Sequence, residues 1–441
     1  MRYHSSVLPQ SLAEYEIDPV TGFLPPEEPL RRLPADGPFE LWERLADDFQ
    51  GLMLSGQLRK RVHELPVLDV DALTTQPQRR RAFLVLSLLT HAYVWGKHEP
   101  VLSDLPPCLA VPFCKVSEML GLCPVVCNAA VVIWNWKRID PNGPYDLSNM
   151  TTLHTFSGAM DESWFYLITT AIEARGGRAL GAIVGAAAET KAEAPCLDTL
   201  AQHLSVLADE IEEMGKILIR MYERCDPYVF FWKVRAYLAG WANMKEAGLP
   251  DGLHYEGVDA PGVYRQYPGG SAGQSALMHA LDIALGVKHH RTGSSSGRNK
   301  FMEAMRDHMP GPHRKFLEDL ERNVDIRGFV DQLSASPAAA GPYTIKAVEH
   351  TTSAYNRCVD QLKQFRDRHI QMVTLYVVMP ARKGPVVGGY RGVDTRHTGL
   401  ARPSDGNNVH RGTGGTDVMP FLKQMRDETR ATKLNALREH P

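Results

Sequence analysis

The strongest hydrophobic pattern in the chain lies between residues 353 and 379. Apolar positions recur there in alternating steps of three and four residues, which is the spacing of one buried face of an α-helix. Polar residues at 366–368 and 371 interrupt the apolar positions and indicate that the other faces are solvated. We therefore predict a helix over residues 353–379. Its buried face consists of Tyr355, Cys358, Leu362, Phe365, His369, Met372 and Tyr376.

His369 is the unusual member of this face. A histidine on a buried face must either hydrogen-bond both ring nitrogens within the protein or give one nitrogen to a metal. On this pattern alone, a hydrogen-bonded core histidine is the more common outcome. The choice between the two depends on the rest of the chain.

Two further segments have helical patterns. Leucine, isoleucine and methionine residues repeat at the same spacing from Leu200 to Met221. Asp226 then precedes Pro227, which is typical of an N-cap followed by proline at the first helical position, and predicts a helix over residues 228–241. No run of alternating apolar and polar residues predicts a strand, so we expect an all-α fold.

The predicted helix over residues 228–241 also carries a candidate binding surface. Phe231 and Arg235 are four residues apart and share one face, with Phe230 beside them. Two aromatic rings next to a guanidinium could hold an aromatic amino acid, whose carboxylate would pair with the arginine. The more common alternative is that the rings belong to the core and the arginine is a paired or exposed charge.

Prolines and glycines mark three segments without helical periodicity. Residues 97–113 contain four prolines and are expected to form an extended connection. Residues 249–275 are expected to form a loop, and the glycines at its end, within residues 269–273, indicate a close approach of backbone to a flat ligand or a packed helix. Residues 380–416 are expected to form a mobile lid or a disordered insert.

The length and charge of the chain limit its organisation and its partners. A chain of 441 residues suffices for two or three domains, and we expect a smaller N-terminal domain over 1–155 and a larger helical domain over 156–441. The 49 basic and 51 acidic residues nearly balance, which gives no indication of a nucleic-acid or membrane partner. We therefore expect a small-molecule substrate. The lack of an exposed heptad pattern favours a monomer.

The cysteines bear on the cellular compartment. Seven cysteines, an odd number spread over the chain, favour a reducing cytoplasm over a disulfide framework, and residues 1–30 contain no secretory signal. Cys108, Cys114, Cys123 and Cys127 are close in sequence, but their spacing lacks the paired pattern of a zinc site. Buried free thiols are the preferred interpretation of these four residues.

The sequence motifs of several common enzyme classes are absent. We find no H-E-x-x-H zinc motif, nucleophile elbow, kinase signature, P-loop or dinucleotide fingerprint. A single buried histidine without other ligands at a recognisable spacing fits one metal site well. In haem, the porphyrin supplies four nitrogens and the protein needs to supply only one axial ligand. His369 is therefore a candidate axial ligand.

Taken together, these features make the chain similar to the indoleamine 2,3-dioxygenases, and the resemblance runs nearly from end to end. Short fragments occur in the order and at the spacings of that family. They are EYEID at 14–18, SGQLR at 55–59, AYVWG at 92–96, NWK at 135–137, LAGW at 238–241, GGSAGQS at 269–275, RDRHIQMVT at 366–374 and GTGGTDVMPFL at 412–422. Each fragment alone is weakly specific, whereas the ordered set is strongly specific.

The resemblance implies an all-α, haem-binding helical bundle in which the smaller N-terminal domain covers the distal side of the haem. It implies haem b as the cofactor and O2 as the co-substrate. The implied reaction adds both oxygen atoms across the indole C2–C3 bond of L-tryptophan and gives N-formylkynurenine, the first step of the kynurenine pathway. A substituted tryptophan as the substrate and a non-catalytic haem sensor are the alternatives.

The resemblance also implies roles for individual positions. His369 matches the proximal ligand of the haem iron. The implied haem contacts are Arg366, Asp282, Ser271 and Val132, with Arg366 placed to meet Asp282 and a propionate. The implied substrate contacts are Phe165, Phe230, Phe231, Arg235, Ser271, Ala272 and Thr413. The implied catalytic residues are Thr169, Phe230 and Arg235.

Two positions depart from the pattern expected of the family. Asn128 stands where a bulkier aromatic residue is expected, and Thr169 replaces a serine. Both positions border the inferred substrate pocket. The preference for substrate size and stereochemistry therefore stays open at this stage.

Overall fold

The computed structural model describes residues 7–96, 99–297, 299–335, 343–383 and 418–435. This part of the chain is mainly helical, and its four strands are two or three residues long, which confirms the prediction of an all-α fold. The helices are α1 Glu40–Asp47, α2 Phe49–Leu54, α3 Leu58–His63, α4 Gln76–Trp95, α5 Pro107–Leu120, α6 Met160–Ala174, α7 Gly176–Lys191, α8 Leu197–Ile219, α9 Met221–Arg224, α10 Pro227–Val229, α11 Ala276–Ala284, α12 Lys300–Arg306, α13 Gly311–Asn323, α14 Ile326–Ala335, α15 Ile345–Val373, α16 Met379–Lys383 and α17 Val418–Ala431.

The short strands form two small pairs. Strand β1 (Asp104–Leu105) runs parallel to β4 (His254–Tyr255). Strand β2 (Trp136–Arg138) runs antiparallel to β3 (Met150–Thr152). These pairs connect loops rather than form a sheet with a core of its own.

The two longest helices, α8 and α15, pack along each other, and α15 also packs against α17. The buried positions of α8 include Leu200, Leu204, Leu207 and Ile211, which confirms the predicted helical face. Helix α15 begins at Ile345, so the predicted start at residue 353 was wrong by two turns. Thr344 caps this earlier start, because its side chain accepts a hydrogen bond from the Ala347 amide.

The predicted extended connection over residues 97–113 was wrong in its second half. Helix α5 begins at Pro107, the first helical position, where no amide hydrogen is needed. Pro112 lies inside the same helix and removes one backbone hydrogen bond. Burial of the apolar face of α5, which packs against α4, outweighs that cost and explains why the proline count misled.

In the described part of the bundle, three single turns of π-helix occur, at Ala129–Ile133, Phe230–Val234 and Thr374–Val378. The predicted helix over residues 228–241 is therefore not regular. Asp226 does cap it, accepting hydrogen bonds from the Tyr228 and Val229 amides at 2.8 and 3.1 Å, but the helix ends in a 3-10 turn at Arg235–Leu238. Turns of π-helix are frequent at functional sites, because the extra residue displaces the side chains that follow.

The glycine-rich residues 269–273 meet the backbone of residues 238–240 directly. A Cβ added at Gly240 would lie 2.3 Å from the Tyr267 carbonyl oxygen, and one at Gly269 would lie 2.1 Å from the Leu238 carbonyl oxygen. Any side chain at these two positions would force the segments apart. Gly240 and Gly269 are therefore needed for packing of backbone against backbone, whereas the sequence predicted a close approach to a flat ligand or a packed helix.

Residues 380–383 continue the chain as part of α16, so the predicted loop over 380–416 begins too early. Its remainder, including Thr413, lies outside the described residues. The predicted domain boundary at residue 155 falls between β3 and α6 and stays a prediction. Within the described part of the chain, no helix combines the length and the apolar character needed to cross a membrane.

Candidate functional site

A cavity of about 300 Å³ lies inside the described part of the helical bundle. This volume is within the range of small-molecule pockets. Its wall is mainly apolar and is built from α6, α11, α15, α17, the glycine-rich loop and parts of all three π-helical turns. Several of the residues singled out from the sequence line it together. They are Val132, Phe165, Thr169, Phe230, Arg235, Ser271, Ala272, Asp282, Arg366 and His369.

His369 presents its ring to this cavity from α15. The other members of its predicted face are buried in the core, whereas His369 is partly exposed. Burial, together with the smaller effect of the nearby positive charge of Arg366, lowers the pKa of His369 to about 4. The imidazole is therefore neutral at pH 7 and has a lone pair for a metal ion.

Two other buried histidines have side-chain hydrogen bonds that His369 lacks, and His91 illustrates the alternative that the sequence left open. His91 bridges the Tyr237 carbonyl at 2.9 Å and the Val126 amide at 2.8 Å, so both its nitrogens are used. His279 also lines the cavity, but its Nε2 bonds to the Gly273 carbonyl at 2.9 Å. Among the described residues, His369 has no hydrogen-bond partner for either nitrogen. The geometry of His369 is that of an available ligand rather than of a satisfied core histidine.

Arg366 lies one turn before His369 and reaches Asp282 of α11. Its Nη2 donates to both carboxylate oxygens of Asp282, at 2.6 and 2.7 Å, as the resemblance led us to expect. Its Nη1 donates to the Met425 carbonyl at 3.2 Å and to the Thr429 hydroxyl, both on α17. Burial opposes ionisation of Asp282, but the charges of Arg366 and His289 outweigh it and hold the pKa of this carboxyl well below its usual range.

Arg235 follows the π-helical turn and is buried, with 3% of its surface exposed. Its guanidinium carbon lies 5.7 Å from the ring centroid of Phe231, which confirms that the two share a face. Phe231 is not among the residues that line the cavity, so it supports Arg235 from behind. Burial lowers the pKa of Arg235 to about 10, and the guanidinium stays charged at pH 7.

The aromatic wall of the cavity centres on Phe230. Its ring lies 4.7 Å from that of Phe165 and 5.8 Å from that of Tyr376. Tyr376 is held in place because its hydroxyl donates to the Cys225 carbonyl at 2.6 Å. These rings form a rigid surface that suits a flat aromatic ligand.

Thr169 and the glycine-rich loop provide hydroxyl groups at the cavity. The Thr169 hydroxyl donates to the Phe165 carbonyl in its own helix at 3.3 Å. The Ser271 hydroxyl accepts from the Gly273 amide at 3.2 Å, and the loop is held by the Gln274 side chain, which accepts from the Ser271 and Asn128 amides. Ser271 and Ala272 are thereby fixed against the cavity at the start of the 3-10 turn Ala272–Gln274.

The sequence interpretation missed Glu173, a buried carboxyl that also lines the cavity. One oxygen accepts a hydrogen bond of 2.5 Å from Ser275, and the other has no hydrogen-bond partner in the described part of the chain. Burial raises the pKa of Glu173 to about 7, although Ser275 and Asn128 lower it. The sequence did contain an indication that Glu173 lines the cavity, because it is a charged residue one turn after Thr169 on a largely apolar helix.

Replacing Glu173 with glutamine should remove a pH dependence of stability. Because its folded-state pKa is raised, Glu173 stabilises the fold fully below its unfolded-state pKa, and this contribution is lost as pH rises through about 7. The loss is about 3 kcal/mol, from the size of the pKa difference. The midpoint of thermal unfolding of wild type, relative to that of Glu173→Gln, should fall as pH rises from about 4.5 to about 7 and then level off. A difference in midpoint between wild type and Glu173→Gln that does not change with pH would contradict the raised pKa of Glu173. Glu193→Gln, a change at an exposed position, serves as the control.

The donor set of the cavity fits haem. A neutral, unpaired histidine in an apolar cavity is the contribution that an axial site requires, since the porphyrin supplies the remaining four nitrogens. Arg366, already anchored by Asp282, presents a positive charge at the same wall, where a propionate could be neutralised.

Comparison with known proteins agrees with this geometry. The family model of indoleamine 2,3-dioxygenase matches residues 11–432. The chain is 37% identical to indoleamine 2,3-dioxygenase of Saccharomyces cerevisiae, over 96% of this chain and 93% of the relative. It is 36% identical to indoleamine 2,3-dioxygenase 1 of Rattus norvegicus, over 98% of this chain and 99% of the relative, and 36% identical to the Mus musculus protein of the same name, over 96% of both chains.

Proposed function

The chain belongs to the indoleamine 2,3-dioxygenase family, and from this premise we propose that it converts L-tryptophan to N-formylkynurenine with haem b as cofactor and O2 as co-substrate. The family makes the chain an oxidoreductase that incorporates oxygen into an indole. The observation that carries the specific proposal is the combination, in one cavity, of an unpaired neutral histidine, a buried guanidinium and an aromatic wall.

The proposed haem site rests on three side chains. His369 would hold the iron through one of its two ring nitrogens, neither of which has a partner among the described residues. Arg366 would pair with a propionate while Asp282 fixes its orientation, and Ser271 and Val132 would lie against the porphyrin. Bound haem supplies the iron that activates O2, which is chemistry that the side chains of this cavity do not provide.

The proposed substrate site uses the remaining wall. Phe165 and Phe230 would hold the indole plane, with Phe231 supporting Arg235 from behind. Arg235 would pair with the carboxylate of tryptophan in a place from which water is largely excluded, where such a pair is strong. Thr169 and Ala272 would border the indole. The task of these residues is to bind and orient the substrate and to keep water out, since oxygen insertion needs no strong general base.

We further propose the domain division at residue 155, with residues 1–155 contributing the π-helical turn Ala129–Ile133 to the cavity wall. The assignments to a monomer, to the cytoplasm and to the first step of the kynurenine pathway stay predictions.

The decisive experiment is the absorption spectrum of the purified ferrous protein, recorded anaerobically and then with L-tryptophan and O2. A haem band that shifts on addition of tryptophan, followed by formation of N-formylkynurenine, is the expected result. Failure to take up haem on reconstitution would overturn the proposal for His369. Haem uptake without turnover would overturn the proposal for the substrate and leave the haem site standing.

A second candidate substrate, a ring-substituted tryptophan, is favoured by the polar groups at Asn128 and Glu173. Both line the cavity, and Glu173 has one oxygen without a hydrogen-bond partner among the described residues. A substituent that donates a hydrogen bond would find an acceptor there. Steady-state kinetics over a panel of tryptophans with and without ring hydroxyl or amino groups would separate the two substrates by their kcat/KM.

A further inference from the structure

A cluster of four ionisable side chains extends from the cavity wall, where Arg366 and Asp282 lie, into the protein behind it. Arg366, Asp282, His289 and Glu428 have side chains that are 11%, 7%, 9% and 14% exposed. The Nε2 of His289 lies 3.0 Å from Asp282 Oδ2, and its Nδ1 lies 2.8 Å from Glu428 Oε2. The imidazole therefore bridges a carboxylate of α11 and a carboxylate of α17.

This geometry determines the charge of His289. A neutral imidazole carries one N–H and can donate only one hydrogen bond, whereas both partners here are carboxylates that accept. Both contacts are hydrogen bonds only when the ring is an imidazolium. In that form the cluster holds two positive and two negative charges, and the buried group is neutral overall. Loss of the proton leaves one excess negative charge in a poorly solvated place, which is costly.

The same cluster fastens α17 to the rest of the site. Glu428 belongs to α17, and Arg366 reaches the same helix through the Met425 carbonyl and the Thr429 hydroxyl. Helix α17 supplies Val418, Phe421, Leu422 and Met425 to the wall of the cavity. Asp282 thus connects to α17 by two routes, one through Arg366 and the other through His289.

We propose that the His289 imidazolium is a positioning residue that holds α17 against α11 and so keeps Arg366 and the α17 wall of the cavity in place. If haem binds in the cavity, loosening of α17 should also weaken haem retention, and this part rests on the proposed function. The attachment of α17 through His289 does not depend on haem. Loss of the proton, as pH rises through the raised pKa of His289, breaks one of the two bridging hydrogen bonds and loosens α17.

The charges around His289 determine the direction of its titration. Burial disfavours the charged ring and Arg366 repels it, but Asp282 and Glu428 outweigh both and raise the pKa of His289 above its ordinary value. His279 of α11 and His290 also face the cluster, and His290 lies 3.2 Å from Glu428. Because the folded-state pKa is raised, the stabilisation is complete below the unfolded-state pKa and is lost as pH rises through the folded-state pKa.

The test measures hydrogen–deuterium exchange of peptides from α17, relative to peptides from α8 in the same sample, from pH 6 to 9. The ratio removes the intrinsic effect of pH on exchange. In wild type, the relative exchange of α17 should rise about tenfold or more in a single step as pH rises, since hydrogen bonds to charged groups contribute at this level. The rate of haem transfer to an acceptor globin should rise over the same step.

Three variants distinguish positioning by charge from ordinary packing. His289→Gln should exchange fast at every pH and lose the step, and His289→Lys, which keeps the positive charge, should exchange slowly throughout. Lys288→Gln changes an exposed neighbouring position, serves as the matched control and should behave as wild type. A step in His289→Lys at the same pH as in wild type, or unchanged exchange in His289→Gln, would overturn the proposal. Hydrogen–deuterium exchange of α17 can be measured with or without haem. If the protein does not bind haem, the test of the His289 proposal is therefore still valid.

Discussion

Replacing His369 with alanine should abolish retention of haem. Among the histidines that line the described cavity wall, His369 is the one with both ring nitrogens unpaired, and its lowered pKa, about 4, keeps a lone pair available at neutral pH. Its removal takes away the proposed axial donor. The expected spectrum of the purified variant, after reconstitution, lacks the haem band, while circular dichroism in the far ultraviolet stays that of a helical protein.

Two controls make this prediction specific to coordination. Exogenous imidazole added to His369→Gly should restore a haem band, because the small ligand can occupy the space that the side chain leaves. His279→Asn changes another histidine of the same cavity whose Nε2 is already bonded to the Gly273 carbonyl, and this variant should keep its haem. An unchanged spectrum in His369→Ala would refute the axial role.

Replacing Arg235 with alanine should raise KM for L-tryptophan by roughly 30- to 4,000-fold, with the haem spectrum intact. The range corresponds to about 2–5 kcal/mol, the usual cost of truncating one partner of a desolvated charge pair. Arg235 is 3% exposed and is flanked by the Phe231 ring, so the carboxylate of the substrate would be paired away from water. Steady-state kinetics and an anaerobic tryptophan titration of the ferrous protein measure the effect.

The pairing with a carboxylate can be isolated from other effects of the mutation. Tryptamine lacks the carboxylate, so its binding should change little between wild type and Arg235→Ala. Lys233→Ala removes an exposed charge from the same π-helical turn and should leave KM unchanged. Arg235→Lys should recover part of the affinity, because a point charge replaces the planar fork. An unchanged KM in Arg235→Ala would exclude its assigned role.

Much of the helical framework could be predicted from local sequence. The spacing of Leu200, Leu204 and Leu207 predicted α8, and the Asp226–Pro227 pair predicted the start of the helix that carries Arg235. The spacing around His369 placed this residue in the middle of a long helix, although α15 begins two turns earlier than predicted. These features are predictable because periodicity and capping depend on residues within a few positions of each other.

Other features depend on tertiary packing and were missed. Helix α5 forms despite two prolines because its apolar face is buried against α4, and a proline count contains no information on that burial. The π-helical turn at Phe230–Val234 moved Phe231 out of the cavity wall and behind Arg235, which a regular helical spacing did not indicate.

The sequence by itself determined the fold class, the family and the candidate ligand His369, because each of these is encoded in residues close together or in fragments in a fixed order. Only the tertiary structure decided that both ring nitrogens of His369 lack a partner among the described residues, whereas those of His91 are satisfied. It also decided that Asp282, His289, Arg366 and Glu428 form one buried cluster. Those four residues are separated by up to 146 positions, and only the packing of three helices brings their charges together.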